Sequence, residues 1–135
     1  MVRLNKTELE PEQLDALSKQ LYKTVGKLSA TGARDFLHEL LGYEERVMLA
    51  KRLAAIVLLL EGNSRYRVSQ LLKLSESTVN TYATRIEDGS YAELIHILGK
   101  SKKDYFAFLD VLDNILHLGG ILPHYNGLDR YKNIR

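Results

Sequence analysis

The chain of 135 residues contains no cysteine and only two prolines. The absence of cysteine excludes a disulfide scaffold and any cysteine-based zinc site, and it agrees with a reducing, cytoplasmic location. Pro11 and Pro123 lie near the two ends, so the interior has no residue that breaks a helix outright. The longest apolar run, residues 53–60, falls far short of the ~20 residues that a membrane span needs. The opening MVRLNKTELEPEQ has no apolar core, so we expect neither a membrane segment nor a secretory signal.

Hydrophobic residues make up 45% of the chain and charged residues 27%, which is typical of a soluble globular domain. The net charge of +2 says little about partners, but the basic residues are unevenly distributed. Residues 64–85 contain four basic side chains and only one acidic side chain. A local basic surface is what a polyanionic partner requires, although such windows also occur in proteins that bind no nucleic acid.

Apolar residues recur at spacings of three and four, which predicts an all-α fold of about seven helices. We expect one domain over residues 1–100, with the last helix and the tail, 101–135, packed on it. The sixth helix should start at a capping box formed by Ser90 and Glu93 and end at Gly99. The expected bounds of the first five helices are about 11–28, 32–41, 44–61, 65–72 and 76–85. The seventh should run from SKKD at 101–104 to about residue 118.

Three of these helices carry informative apolar patterns. In the first, Leu14, Leu21 and Leu28 repeat at seven, which favours packing against a partner helix. The third ends in LAAIVLLL, which is apolar on all sides and therefore predicts the central, buried helix. The second is expected to bury Ala33, Phe36, Leu37, Leu40 and Leu41.

Residues 64–85, SRYRVSQLLKLSESTVNTYATR, predict two short helices joined by a very tight turn. Ser64 and Ser75 are placed to cap them, and Ser69 supplies a small side chain where the helices approach most closely. Lys73 stands where such a turn usually has glycine, in a backbone conformation that costs lysine about 1 kcal/mol. This is the pattern of a helix-turn-helix, although a helical corner inside a core is an alternative. The side chains expected to clamp the pair are Val68, Leu71, Leu72, Leu74, Val79, Tyr82 and Ile86.

Residues 43–86 resemble the tryptophan-repressor family, and more closely its less characterised repressor-like branch. The motifs that carry the resemblance are EER at 44–46, AKRL at 50–53, LLLEGNS at 58–64 and STVN at 77–80. The resemblance implies an all-helical, intertwined homodimer that represses transcription from a palindromic operator. From about residue 101 the chain extends beyond the family pattern.

In that family two arginines hold the co-repressor. The resemblance places Arg52 on the first, and Thr81 on the second once a one-residue gap is allowed. Threonine cannot supply a charged planar fork to a carboxylate, so we do not expect tryptophan as the ligand. Arg52 remains a possible ligand residue, and any small-molecule effector is unknown.

The second helix of the pair has a polar outer face, which predicts a reader of double-stranded DNA. Asn80 would pair with adenine, Glu76 would accept from cytosine, and a threonine methyl group would meet thymine. Glu76 in a first helical turn is also stabilised by the helix dipole without any base. The expected base contacts are Ser75, Glu76, Ser77, Asn80, Thr81 and Thr84. The expected phosphate contacts are Ser64, Arg65, Tyr66, Arg67, Lys73 and Arg85.

Other functions receive less support from the sequence. Asp110, Asp113 and His117 share a helix face, but such a set is more often the wet side of a helix than a metal site. No glycine-rich phosphate loop, nucleophile elbow or HExxH motif occurs, so we expect neither an enzyme nor a cofactor. The alternative is a helical protein–protein interaction module, in which the seventh helix, rich in Tyr and Phe, binds a partner and the helix-turn-helix is vestigial. The tail pairs aromatic with basic residues and would reach a DNA groove as an arm, dock on its own dimer, or stay loose. These residues are Tyr125, Arg130, Tyr131, Lys132 and Arg135.

Overall fold

The computed structural model describes residues 8–116, and this part of the chain is all-helical, as the periodicity predicted. It contains seven helices and no strand. The helices are α1 (Pro11–Gly26), α2 (Ala30–Leu40), α3 (Tyr43–Leu60), α4 (Arg65–Leu72), α5 (Glu76–Glu87), α6 (Ala92–Leu98) and α7 (Lys102–Leu116).

The predicted start of α6 is wrong. Tyr91, not Ser90, is the N-cap residue, and its side chain makes no capping hydrogen bond. Ser90 is engaged elsewhere, since its backbone N–H and its hydroxyl both donate to Asp88 Oδ1, at 2.9 and 2.6 Å. Both hydrogen bonds lower the pKa of the Asp88 carboxyl, and the bond from the Ser90 hydroxyl has the larger effect. A carboxylate two residues upstream therefore takes the serine that the capping-box pattern assigned to the helix.

The chain divides after Arg46 into two compact units. In the first unit neither α1 nor α2 contains a buried residue. The apolar stripe of α1 is 44–67% exposed at Leu14, Leu17, Leu21, Tyr22 and Val25. An apolar stripe is buried only where another element covers it, and within the first unit no described residue buries that of α1.

The expected burial of α2 is also wrong in the single chain. Ala33, Phe36 and Leu41 are only half-buried, and Leu37 and Leu40 are exposed. The pattern identified an apolar face correctly, but a pattern does not show whether the covering surface belongs to the same chain. Local contacts nevertheless define the end of α2, where Arg46 Nη1 donates to the carbonyl oxygens of His38 and Leu41.

The second unit has its core around the second half of α3, as LAAIVLLL predicted. One cluster joins α3 to α4, α5 and α7, with Val57, Val68, Val79 and Leu109 fully buried at its centre. A smaller cluster joins α3 to α5 and α6 through Ile56, Leu60, Ile86 and Ile95. Because α3 contributes to both clusters, α4 and α5 are held on a common support.

A buried polar pair ties α7 to the residue that follows α3. Tyr105 Oη donates to Glu61 Oε2 at 2.6 Å, and both side chains are buried. Burial raises the pKa of the Tyr105 phenol well above its usual value, and the Glu61 hydrogen bond and charge add to the rise. Glu61 Oε1 has no hydrogen-bond partner among the described residues. Among the described residues, the Tyr105 phenol is thus the one hydrogen-bond donor to the buried Glu61 carboxyl group.

We expect Tyr105→Phe to lower the free energy of unfolding by about 1–3 kcal/mol, because it leaves Glu61 buried without that donor. Urea unfolding at neutral pH measures the loss. Because the folded state holds the phenol proton more tightly than the unfolded state, stability should also fall as the pH rises above about 10.

The matched control is Glu61→Gln combined with Tyr105→Phe, which replaces the buried carboxyl group by an amide. This pair should be more stable than Tyr105→Phe alone. A Tyr105→Phe protein as stable as the wild type would show that the hydrogen bond contributes nothing.

Candidate nucleic-acid interface

Helices α4 and α5 are joined by only three residues, Lys73, Leu74 and Ser75. Ser64 caps α4 by accepting from the Arg67 N–H, and Ser75 caps α5 by accepting from the Thr78 N–H, both at 3.1 Å. Both caps agree with the sequence prediction. Lys73 ends α4 with φ 56° and ψ 48°, so the left-handed backbone expected at this position is present.

The inner sides of the two helices are buried as predicted. Val68, Leu72, Val79, Tyr82 and Ile86 lie in the core, and Leu71 and Leu74 are half-buried beside it. Ser69 is buried at 2% exposure, and its hydroxyl donates to the Tyr66 carbonyl oxygen at 2.7 Å. Because Ser69 is small and its hydroxyl is hydrogen-bonded within α4, it leaves room for α4 and α5 to pack closely. Ala83 is also buried, a position that the sequence reasoning did not include.

The outer side of α5 is exposed along its whole length. All six predicted base contacts are exposed: Ser75, Glu76, Ser77, Asn80, Thr81 and Thr84. Along one stripe of the helix an open depression is lined by Ser77, Asn80, Thr81, Thr84, Arg85 and Asp88. The structure therefore brings four of the six predicted base contacts together on one surface, with Asp88 as a neighbour that the sequence reasoning missed.

Some of these polar groups already have partners within the helix. Ser75 Oγ donates to Thr78 Oγ1 at 2.8 Å in addition to capping α5. Thr81 Oγ1 donates to the Ser77 carbonyl oxygen at 3.1 Å. Because its hydroxyl proton is used in this way, Thr81 offers a partner mainly its methyl group and an acceptor oxygen.

Of the predicted phosphate contacts, Arg85 lines this depression. Tyr66, Lys73 and Arg85 are exposed, and Ser64 is an exposed cap. Arg67 is half-buried, and its Nε donates to Asn63 Oδ1 at 3.1 Å. This hydrogen bond restrains the guanidinium group at its Nε atom. The guanidinium carbon of Arg85 lies 6.0 Å from the centre of the Tyr91 ring.

Arg65 has intramolecular partners that the sequence reasoning did not predict. Its Nη2 forms an ion pair with Glu87 Oε1, and its Nη1 lies 3.5 Å from Asn80 Oδ1. Glu87 was missed because the predicted helix ended at Arg85, two residues before α5 ends. No local spacing rule relates side chains that lie 22 residues apart.

The possible ligand residue Arg52 is exposed, and its guanidinium carbon lies 5.7 Å from the centre of the Tyr82 ring. This is the distance range of a cation–π contact. Arg52 thus has an aromatic neighbour on α5, and the threonine at 81 adds no second positive charge.

The described residues contain no group of three His, Asp or Glu side chains able to hold a metal ion. Asp110 and Asp113 lie on α7, while His117 lies outside the described residues. The tail residues Tyr125, Arg130, Tyr131, Lys132 and Arg135 also lie outside them. Within residues 8–116, no helix has both the length and the apolar character that a membrane crossing requires.

We expect Lys73→Gly to raise the free energy of unfolding by about 0.5–1 kcal/mol, because glycine adopts a left-handed backbone without the steric cost that lysine bears. Urea unfolding measures the gain. The control Lys103→Gly places the same substitution in the first turn of α7, where the helical backbone gives glycine no such gain and stability should not rise. A loss of stability in Lys73→Gly would show that the lysine side chain makes a stabilising contact.

Comparisons with protein-family models, with curated proteins and with solved structures found no match to this chain. The likeness to the tryptophan-repressor family therefore rests on the residue motifs of 43–86 alone.

Proposed function

We propose that this chain is a cytoplasmic, sequence-specific DNA-binding transcriptional regulator, a repressor that uses residues 64–86 as its helix-turn-helix. The observation that carries the proposal is the exposed polar stripe of α5. It lies opposite the apolar side of the same helix, which is buried in the core. A helix that is buried on one side and polar on the other occurs in most proteins. The stripe favours DNA here because a tight, capped connection joins α5 to α4, as in a helix-turn-helix.

The dimensions of α5 suit the major groove. With its side chains an α-helix is about 10–12 Å across, and the major groove is about 12 Å wide. The exposed groups are short amides and hydroxyls, which reach base edges without long, mobile side chains. Asn80 supplies the donor and acceptor pair that reads adenine, and the threonines supply methyl groups for thymine.

The exposed charges on and beside α5 are of both signs, since Glu76, Glu87 and Asp88 are acidic, and the support for a polyanionic partner comes from the basic side chains. Three basic residues belong to the two helices and their connection: Arg67 on α4, Lys73 at its end and Arg85 on α5. Both helices also begin with a capped N-terminus. Contacts of this kind to phosphates set affinity and register, while the stripe sets sequence. We include no tryptophan co-repressor in the proposal, since Thr81 cannot hold its carboxylate.

We further propose a homodimer in which a second copy covers the apolar stripe of α1. Leu14, Leu17, Leu21 and Val25 lie on one face, and all are at least 44% exposed in the single chain. Leaving this face in water would forgo most of the free energy that an amphipathic helix gains on packing. A two-fold symmetric dimer would also present two recognition helices to a palindromic operator.

The rival function, a helical protein–protein interaction module, relied on the aromatic residues of α7. Tyr105 is buried and Phe108 packs against the core, so these two rings are used within the chain. Phe106 is 37% exposed. The aromatic content of α7 is thus largely explained by the core, which favours the DNA-binding proposal over the rival.

Selection of bound fragments from a random duplex library tests the proposal directly. We expect a palindromic motif, with binding that weakens steeply as salt rises. In a complex structure the two copies of α5 should lie about 34 Å apart, which is one turn of DNA. Binding that shows no sequence preference and no dependence on salt would refute the function.

We expect Arg67→Ala to weaken binding to every duplex and to reduce the slope of log affinity against log salt by about 1, because one phosphate contact is lost. Fluorescence anisotropy over a salt series gives both quantities. Lys103→Ala removes the same charge from α7, outside the proposed interface, and should leave the slope unchanged. An unchanged slope in Arg67→Ala would remove this residue from the interface.

We expect Leu21→Lys to shift the protein from dimer to monomer, because it places a charge in the middle of the α1 stripe. Sedimentation equilibrium measures the shift. Gln20→Lys adds the same charge on the neighbouring exposed position of α1 and should leave the dimer intact. If the wild-type protein is itself a monomer at micromolar concentration, the proposed dimer is wrong.

A further inference from the structure

Three side chains form a continuous polar chain across the outer surface of α4 and α5. Arg65 is the first residue of α4, while Asn80 and Glu87 lie seven residues apart on α5 and so point to the same side of it. The guanidinium group of Arg65 reaches both, with Nη2 on Glu87 Oε1 and Nη1 at 3.5 Å from Asn80 Oδ1. Two nitrogens of one planar group are therefore directed at two different residues.

The chemistry of the guanidinium group determines which way the Asn80 amide faces. Arginine has only donors, so the atom of Asn80 that faces it must be the acceptor Oδ1, and Nδ2 is turned away. The ion pair with Glu87 restrains the guanidinium group against rotation. A carbonyl oxygen accepts two hydrogen bonds, so Oδ1 retains an acceptor site while Arg65 is beside it.

Orientation of an asparagine amide matters for reading adenine. The bidentate pair requires Oδ1 to accept from the adenine N6 amino group while Nδ2 donates to N7. If the amide turns over, donor and acceptor exchange places and the pair is lost. An amide that is already oriented does not have to be ordered when DNA binds, so less of the interaction free energy is spent on ordering.

We propose that Arg65 is a positioning residue for base selection: held by Glu87, it orients the Asn80 amide toward adenine. This inference rests on the proposed DNA-binding function and replaces the phosphate contact that the sequence suggested for Arg65. A phosphate anchor would carry a guanidinium group with its charge available, whereas that of Arg65 is paired with a carboxylate.

The exposure of the pair makes the inference testable without unfolding the protein. The Arg65 and Glu87 side chains are 46% and 64% exposed, and exposed ion pairs contribute little to stability. Substitutions at either residue should therefore leave the fold intact. Circular dichroism and urea unfolding of each variant verify this before binding is measured.

The experiment uses the full chain and the duplex motif recovered by selection. Asn80→Ala first identifies the adenine that Asn80 reads, as the base pair whose preference it abolishes. Arg65→Ala and Glu87→Gln are then compared with the wild type on that duplex and on duplexes carrying each other base pair at that position. Each is measured over a salt series.

We expect Arg65→Ala to reduce the preference for adenine about three- to fivefold and to leave the salt slope unchanged. Glu87→Gln should reduce the preference in the same direction, because a neutral amide restrains the guanidinium group less well. In the Asn80→Ala background, Arg65→Ala should have no further effect on the preference, since the two residues act as one unit.

Arg65→Ala that weakens all duplexes equally and lowers the salt slope by about 1 would identify a phosphate anchor and overturn the inference. An adenine preference unchanged in Glu87→Gln, or no base preference lost in Asn80→Ala, would overturn it as well. These results differ from a failure of the proposed function, in which the wild-type protein itself shows no sequence preference.

Discussion

The structure of the second unit depends on the complete use of the apolar side of α5 in packing. Val79 and Tyr82 belong to the core cluster shared with α3, α4 and α7, and Ile86 belongs to the smaller cluster shared with α3 and α6. Ala83 is also buried. A 12-residue helix with one face occupied in this way must present its other face to water. The exposure of Asn80 and Thr81 is therefore a consequence of core packing, and a change in the core would alter the surface that the helix presents.

The connection between α4 and α5 adds a second constraint. With three residues between the helices, their mutual orientation is determined by the backbone of Lys73 and by the small side chain of Ser69. The Leu74 N–H reaches back to the Ser69 carbonyl oxygen at 3.0 Å, which closes the end of α4 tightly. Orientation at this corner is thus set by main-chain geometry rather than by long side chains.

The sequence predicted the features that depend on neighbouring residues. Periodicity located the helices, serines identified the caps of α4 and α5, and the position of Lys73 anticipated its left-handed backbone. The sequence-based prediction was wrong or incomplete where a competing or a distant hydrogen-bond partner determines the structure. Asp88 takes Ser90 from the start of α6, and Tyr105 reaches Glu61 from 44 residues away. For Arg65 the motif suggested phosphate, while the fold places Glu87 beside it, which no spacing pattern encodes.

The absence of any buried residue in α1 and α2 has a consequence for the fraction of the protein that is fully folded in a cell. If a second copy covers α1, as we propose, folding of the first unit becomes a bimolecular event. The fraction of molecules with a folded first unit then rises with the protein concentration. Dilution alone dissociates the dimer and unfolds this unit. A regulator built in this way would respond to its own rate of synthesis, with a threshold set by the dissociation constant of its subunits.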